Sequence, residues 1–152
     1  MRYHNIIKIV MKVSEPTTPK EFAQYYDLRW RLLRKPWKQP RGSEHDDLDA
    51  QSVHIIASEK DDLIGIGRLH FNSPQEAQIR FMAVEELHQN KGIGSKILEK
   101  LEEKAKLKGA SSIVLDARSF AVDFYKKNGY HIVGESYLLF GSIQHFKMKK
   151  EL

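Results

Sequence analysis

The stretch "FMAVEELHQNKGIG" (residues 81–94) decides how the rest of the chain is interpreted. It runs from an apolar segment through two acids into two glycines separated by one residue, and helical periodicity begins immediately afterwards. Two interpretations fit a glycine pair at such a turn. The glycines either permit a tight turn and close packing, or they let a phosphate approach the free N–H groups of the helix's first turn.

The patterns around this stretch predict alternating strands and helices. Thr18 is a predicted N-cap, because Pro19 and Glu21 follow at the first and third helical positions. The predicted helices cover residues 19–33, 93–108 and 119–128. The predicted strands cover residues 5–13, 52–58, 63–71, 77–84, 111–117, 130–140 and 143–150. The order β-α-βββ-α-β-α-ββ indicates a single α+β domain over residues 1–152, with a mixed, mostly antiparallel sheet of about seven strands flanked by helices.

Composition excludes several classes of protein. The 152 residues are 41% hydrophobic and 30% charged and contain no cysteine, which rules out disulfides, thiolate metal sites and a cysteine nucleophile. No segment is apolar enough to span a membrane, and Lys8 and Lys12 interrupt the N-terminal apolar run, which does not resemble a secretory signal. We therefore expect a cytoplasmic protein with no membrane partner and no metal.

Positive charge is concentrated near the N-terminus. The chain carries a formal net charge of +5, and residues 1–41 hold ten Lys and Arg against three acids. A basic surface of this kind attracts nucleic acid or phosphorylated small ligands, and Trp30 and Trp37 lie among these charges. A nucleic-acid-binding module is thus one alternative. The chain has no helix-turn-helix, zinc-finger or RNP-like pattern, so we expect no nucleic-acid partner.

Two motifs resemble those of the GCN5-related N-acetyltransferase (GNAT) superfamily. Residues 89–94 fit its Q/R-x-x-G-x-G/A pattern, and residues 82–84 lie where that family's central strand carries an L-A-V-like segment. The downstream pattern A-x-x-F-Y-x-x-x-G-Y is met by Ala121, Phe124, Tyr125, Gly129 and Tyr130. The element order matches over nearly the whole chain, so the resemblance implies the GNAT fold.

By this resemblance the protein is an acetyltransferase that uses acetyl-CoA as acyl donor and transfers the acetyl group by direct attack in a ternary complex. Tyr125 matches the tyrosine that protonates the departing thiolate. Arg118 replaces a frequent family Asn and can instead reach a phosphate or an acidic substrate. The residues that the resemblance assigns to CoA binding are Met82, Ala83, Val84, Gln89, Asn90, Lys91, Gly92, Ile93, Gly94, Ser95, Arg118, Ala121 and Tyr125.

The acceptor and the general base are less defined by the sequence. A carboxylate or histidine must take a proton from an attacking amine, and Glu44 and His70 are the candidates that we rank first. The long loop after the first helix lies where the family binds its acceptor, so we expect it to shape acceptor choice. The residues that we assign to the acceptor are Trp37, Arg41, Glu44 and His145.

A narrower resemblance concerns residues 29–44 and 143–148, which are similar to the acetyltransferase module of bacterial proteins that also carry a hotdog thioesterase-like domain. We expect no hotdog domain within these 152 residues. That association leaves open an acyl-carrier-linked or acyl-CoA-linked acceptor in place of an ordinary amine. A non-catalytic CoA-binding sensor is a further alternative, and a homodimer through the terminal strands is compatible with the sequence.

Overall fold

The computed structural model describes residues 11–152. The predicted strand over residues 5–13 lies mostly outside this range, as does most of the N-terminal segment that we compared with a secretory signal. The described part contains seven strands and three α-helices in the predicted order. The strands are β1 (Met11–Ser14), β2 (Val53–Glu59), β3 (Asp62–Phe71), β4 (Glu76–Val84), β5 (Ser112–Arg118), β6 (His131–Leu139) and β7 (Ile143–Glu151). The helices are α1 (Pro19–Leu33), α2 (Ile93–Leu107) and α3 (Val122–Lys127).

All seven strands form one sheet in the order β1-β2-β3-β4-β5-β7-β6. The β4–β5 pair is parallel and the other pairs are antiparallel. The sheet is therefore mixed and mostly antiparallel, as the sequence predicts, and the single parallel pair lies at its centre. A parallel pair requires a crossover connection, which α2 supplies.

Local chemistry sets the start of α1. The Thr18 hydroxyl accepts a hydrogen bond from the Glu21 N–H, and the Glu21 carboxylate accepts one from the Thr18 N–H, at 3.1 and 3.2 Å. This is the predicted capping box, with Pro19 in the first turn. The helix then buries Tyr25 and Leu28 against one face of the sheet.

The opposite face of the sheet packs against α2 and α3 in a larger core. The α2 residues of that core are Ile93, Ile97, Leu98, Leu101 and Ala105, which recur at helical spacing. Gly67 on β3 allows α2 to approach closely, because a Cβ at Gly67 would lie 2.8 Å from Leu101 Cδ1. The strands β3 and β4 lie between α1 on one face and α2 on the other.

The strands β4 and β5 separate part of the way along their length. Their pairing covers Glu76↔Ser112 to Ile79↔Leu115 and then ends, so residues 80–84 of β4 have no partner on the β5 side. On the other side, the register with β3 shifts around Phe81, which has a φ of 57°. A β-bulge of this kind bends a strand away from its neighbour. The result is a V-shaped gap at the centre of the sheet.

The segment between α1 and β2 is ordered by short elements. It contains two 3-10 helices, Lys35–Trp37 and Asp49–Gln51, and buried ion pairs attach it to α1 and to β3. Among residues 11–152, no helix is long and apolar enough to cross a membrane.

Candidate active site

A cavity of about 970 Å³ opens where β4 and β5 separate. Its lining comes from β4 and the N-terminus of α2, from β5 and α3, and from the end of α1 and the β6–β7 pair. The predicted CoA-binding residues that line it are Met82, Ala83, Val84, Gln89, Asn90, Gly92, Ile93, Gly94, Ser95, Arg118, Ala121 and Tyr125. Lys91 is exposed and lies outside the lining.

The N-terminus of α2 presents free backbone donors to this cavity. The first hydrogen bond of the helix runs from the Lys96 N–H to the Gly92 carbonyl at 3.1 Å. Within the described part of the chain, the N–H groups of residues 90–95 donate to no protein acceptor, and no side chain caps the helix. Such groups carry the partial positive charge of the helix terminus, which favours an anion.

The two glycines of the opening motif have different roles. Gly92 has a φ of 80°, and a Cβ built there would meet no heavy atom within 4 Å, so the face toward the cavity is open. A Cβ at Gly94 would lie 3.1 Å from the Phe124 ring, so Gly94 permits close packing of α2 on α3. Both interpretations of the glycine pair therefore apply, one at each position. The free amides and the open face fit the pyrophosphate of CoA.

The exposed edge of β4 forms the second part of the site. Met82, Ala83 and Val84 line the cavity along the portion of β4 that has lost its β5 partner. An extended ligand can pair with such an edge as an additional strand. The Gln89 side chain donates to the Val84 carbonyl at 3.1 Å and so joins the strand end to the turn before α2. The gap therefore fits an extended pantetheine arm.

Tyr125 lies on α3 with its ring buried and its residue on the cavity wall. Its ring packs edge-on against Phe124 and Tyr130, with centroids 5.0 and 5.8 Å away. Its hydroxyl makes no hydrogen bond to any residue within the described range. Burial raises the pKa of Tyr125, and the positive charge of Arg118 opposes this only in part. The phenol therefore keeps its proton at neutral pH and can donate it into the cavity.

The two buried histidines of the cavity differ in which nitrogen is available. His70 Nδ1 lies 3.1 Å from an Arg68 guanidinium nitrogen, which can only donate, so the Nδ1 lone pair is occupied. His145 Nδ1 lies 2.9 Å from the Ile143 carbonyl and must donate to it, which leaves a lone pair on Nε2. Burial lowers the pKa of both rings. Of the two, neutral His145 is the better proton acceptor.

Three of the residues assigned to the acceptor or the base lie outside the cavity lining. The Glu44 carboxylate accepts a hydrogen bond from the Gly42 N–H at 2.7 Å. Arg41 pairs with Asp27 at 3.1 Å and is exposed, and Trp37 is half-buried in the first 3-10 helix. The loop instead contributes Arg34 and Leu48 to the wall of the cavity.

Buried ion pairs fix this loop to α1 and to the sheet. Asp49 lies 2.9 Å from both Arg29 and Arg68, and both guanidinium side chains are fully buried. Burial alone would raise the pKa of Asp49, but the Asp46 N–H and the two arginines lower it to about 2. The guanidiniums of both arginines also lie over the Phe81 ring, 4.1 and 4.8 Å from its centroid. These contacts hold the part of the cavity wall that Leu48 and Phe81 form in one arrangement.

Sequence reasoning missed Arg34 and Tyr137 as cavity residues. A run of basic residues at the end of α1 is usually solvated or ion-paired, and Arg31 follows that rule through Asp27 and Glu85. Arg34 does not follow it, because it is buried and lines the cavity. Tyr137 stacks on His145 with ring centroids 4.3 Å apart, an arrangement that depends on pairing between β6 and β7.

The described side chains contain no group of three or more His, Cys, Asp or Glu that could hold a metal ion.

The gap between parallel strands beside an open helix N-terminus, within this sheet order, defines the fold of the acyl-CoA N-acyltransferases. The acetyltransferase (GNAT) family model matches residues 22–130. The chain therefore belongs to the GNAT family. It is 29% identical over 141 residues to YjcF of Bacillus subtilis strain 168, named as an uncharacterized N-acetyltransferase, with 93% of this chain and 100% of that protein covered. It is 31% identical over 145 residues to YyaT of the same organism, with 93% and 97% covered.

Solved structures show the same fold at low sequence identity. An acyl-CoA N-acyltransferase from Pseudomonas aeruginosa superimposes with a TM-score of 0.77 at 22% identity, covering 93% of this chain and 98% of that one. An aminoglycoside 6'-N-acetyltransferase in complex with coenzyme A gives a TM-score of 0.78 at 19% identity, covering 92% and 96%.

Proposed function

We propose that this protein transfers the acetyl group of acetyl-CoA to a primary amine of a small molecule or protein, by direct attack in a ternary complex. The observation that supports the proposal is that two structural features occur together in one cavity. The free N–H groups of residues 90–95 lie at one part of the wall, and the unpaired edge of β4 lies at another. One fits a phosphate and the other fits an extended chain.

Different parts of the cavity wall would bind different parts of acetyl-CoA. The N–H groups before and within the first turn of α2 hold the pyrophosphate, and the backbone of residues 82–84 pairs with the pantetheine arm. A β4 N–H near Met82 or Ala83 donates to the thioester oxygen, on which negative charge develops during attack. When bound, acetyl-CoA supplies an activated acetyl group. Because these donors are fixed by the fold, they need no reorganisation during the reaction.

Two side chains would move the protons. His145 Nε2 accepts a proton from the amine as its nitrogen bonds to the carbonyl carbon, directly or through a water. Tyr125 donates its phenolic proton to the sulfur as the carbon–sulfur bond breaks. This assignment places His145 ahead of His70, whose Nδ1 lone pair faces Arg68, and ahead of Glu44, which lies outside the lining.

We also propose a location, partners and an assembly for the protein. We place the protein in the cytoplasm as a single domain over residues 1–152, without a nucleic-acid, membrane or metal partner. A homodimer is supported by the edge strand β6, which exposes Ile132, Val133 and Leu138. The loop that carries Trp37, Arg41 and Glu44 is still predicted to influence which acceptor binds. An acyl-carrier-linked acceptor, from the resemblance to hotdog-associated modules, is tested alongside amines.

Amine-dependent release of the CoA thiol tests this proposal. The protein is first titrated with acetyl-CoA, CoA and an oligonucleotide while its thermal midpoint is recorded, because a ligand that binds the native state raises it. We expect a rise with both CoA species and none with the oligonucleotide. A screen of amines, aminoacyl compounds and acyl-carrier thiols then measures thiol release and acetylated product by mass. Binding without any acceptor-dependent release would favour a CoA-binding sensor, and no response to CoA would reject the proposal.

A further inference from the structure

Two arginine side chains converge at one point of the cavity wall, between the end of α1 and the end of β5, and with Tyr137 and His145 they form what we name the acceptor side of the cavity. Arg34 Nη1 donates to the Leu33 carbonyl at 3.0 Å, and Arg118 Nη2 donates to the same oxygen at 3.4 Å. Both residues line the cavity, one at the end of α1 and the other at the end of β5. Two cations thus share one neutral acceptor, although like charges that lie close together repel each other.

Neither guanidinium has a carboxylate partner. Within residues 11–152, no Asp or Glu oxygen lies within 4.0 Å of Arg34 or Arg118. Residues 1–10 contain no Asp or Glu, so they cannot supply one. The neighbouring arginines differ in this respect. Asp46 and Asp49 pair with Arg29, Arg68 and Arg80.

Among the described residues, a single carboxylate lies on the cavity wall, and its oxygens are already occupied. Asp116 accepts hydrogen bonds from the Ser136 hydroxyl at 2.7 Å and from the Gln78 amide at 3.3 Å. It neutralises at most one of the two arginine charges. The acceptor side of the cavity is therefore left with excess positive charge and with Tyr137 beside it.

The unpaired cations retain free donors. Arg34 Nη2 and the Nε and Nη1 atoms of Arg118 donate to no described protein group, and none of the three is fully buried. Phe81 and Phe140 lie 5.4 and 5.6 Å from the Arg34 guanidinium and hold its plane in place. The Arg34 side chain is thus constrained by two hydrogen bonds and two ring contacts, so it loses little conformational entropy when a ligand binds.

A structural role for the pair is to satisfy the C-terminal carbonyls of α1, where cations are favoured. A single donor to Leu33 is sufficient for that role, and Arg34 already supplies it together with a bond to the Ser43 carbonyl at 3.1 Å. Helix capping therefore does not account for Arg118, nor for the donors of both residues that have no described protein acceptor.

We propose that Arg34 and Arg118 bind an oxyanion of the acceptor, so that the acceptor is an amine that also carries a carboxylate or phosphate group. This inference rests on the acetyl transfer proposed above and names its substrate class. A planar guanidinium matches a carboxylate or phosphate through two parallel hydrogen bonds. The same charges disfavour a polycationic acceptor, because its second ammonium group would face two guanidiniums.

Matched amines provide the test. Three sets of amines are compared, built on a short alkyl, a long alkyl and a benzyl frame. Each set has four members, which end in a carboxylate, a phosphonate, a hydroxyl and a second ammonium group. Thiol release from saturating acetyl-CoA gives kcat/KM for each. We expect an anionic member to exceed its hydroxyl analogue by about ten- to a hundredfold, as charge-assisted hydrogen bonds do. The ratio of kcat/KM between the carboxylate and the phosphonate member of each set shows which oxyanion is bound.

Variants assign the effect to these residues. Arg118→Gln should raise KM for the anionic amine and bring its advantage over the hydroxyl analogue close to one, so that kcat/KM falls at least about tenfold more for the anionic amine than for the hydroxyl analogue. Arg118→Lys should restore part of the advantage, since it retains the charge but not the planar fork. Lys147→Gln removes one exposed positive charge outside the cavity lining and should change nothing. Arg34→Gln should behave like Arg118→Gln where it folds.

Several outcomes would overturn the inference. A preference for the hydroxyl or ammonium members, or an equal loss with all acceptors in Arg118→Gln, would refute it. So would a loss of acetyl-CoA affinity in that variant, which would place Arg118 on the CoA phosphates. The absence of thiol release with every amine, despite acetyl-CoA binding, would instead reject acetyl transfer to amines and this inference with it.

Discussion

Replacing Tyr125 by Phe removes one hydroxyl group and leaves the ring in place. The hydroxyl has no hydrogen-bond partner in the described part of the chain, and the ring contacts with Phe124 and Tyr130 do not involve it. The free energy of unfolding should therefore change little. The donors that we propose for CoA binding lie on α2 and β4, so affinity for acetyl-CoA should also be retained.

The effect on turnover follows from the proton that Tyr125 holds. General acids contribute about 10²- to 10⁴-fold, but a thiolate is a better leaving group than an alkoxide or amide and needs less assistance. We expect kcat to fall by about ten- to a hundredfold, or about 1.4 to 2.7 kcal/mol in activation free energy. Because burial raises the pKa of Tyr125, this loss should be constant across the neutral range.

The assay is steady-state thiol release with saturating acetyl-CoA and the best amine from the screen, with acetyl-CoA affinity measured separately. Phe124→Leu is the matched control, since it alters the same helix and leaves the phenol in place. A Tyr125→Phe enzyme with unchanged kcat would refute the role of Tyr125 as general acid. A parallel loss of acetyl-CoA affinity would show that the hydroxyl binds CoA instead.

Two further predictions concern pH and stability. Corrected for the fraction of neutral amine, kcat/KM should be level near pH 7 and fall below an apparent pKa under 6.5, because burial lowers the pKa of His145 and the ring must be neutral to accept a proton. His145→Gln should lose activity together with this acid limb, and a limb that survives in the variant would reject His145 as the base. Asp49→Asn should lower the free energy of unfolding in urea by about 3 to 5 kcal/mol, since it leaves Arg29 and Arg68 buried without a full counter-charge. Asp27→Asn, in a partly exposed pair, should cost less than about 1 kcal/mol, and equal losses in the two variants would contradict this difference.

The sequence predicts those parts of the fold that depend on local chemistry. The capping box at Thr18 and Glu21, the period of α2 and the strand order along the chain all arise from residues close in sequence. The start of α2 at the glycine pair is predicted for the same reason. Its two members proved to differ, because the contact between Gly94 and Phe124 forms only when α2 packs on α3.

The rest depends on contacts between distant residues. The gap beyond Ile79 requires β5 to pair with β7 over its full length while leaving β4, and no local pattern encodes that choice. The difference between His70 and His145 depends on which neighbour faces each Nδ1. Arg34 belongs to a basic run that looks solvated in the sequence, and only the fold reveals which members of the run have acids beside them.

Backbone amide chemical shifts recorded during a titration with CoA test the central claim most directly, namely that the separated strands and the start of α2 form one binding site. The largest changes should occur in residues 82–84 and 90–95, with smaller changes in α3 around Tyr125. Amides on β1 and β2, on the far side of the sheet, should not move. Changes centred on the α1–β2 loop or on β6, or no changes at CoA concentrations that raise the thermal midpoint, would contradict the proposed site.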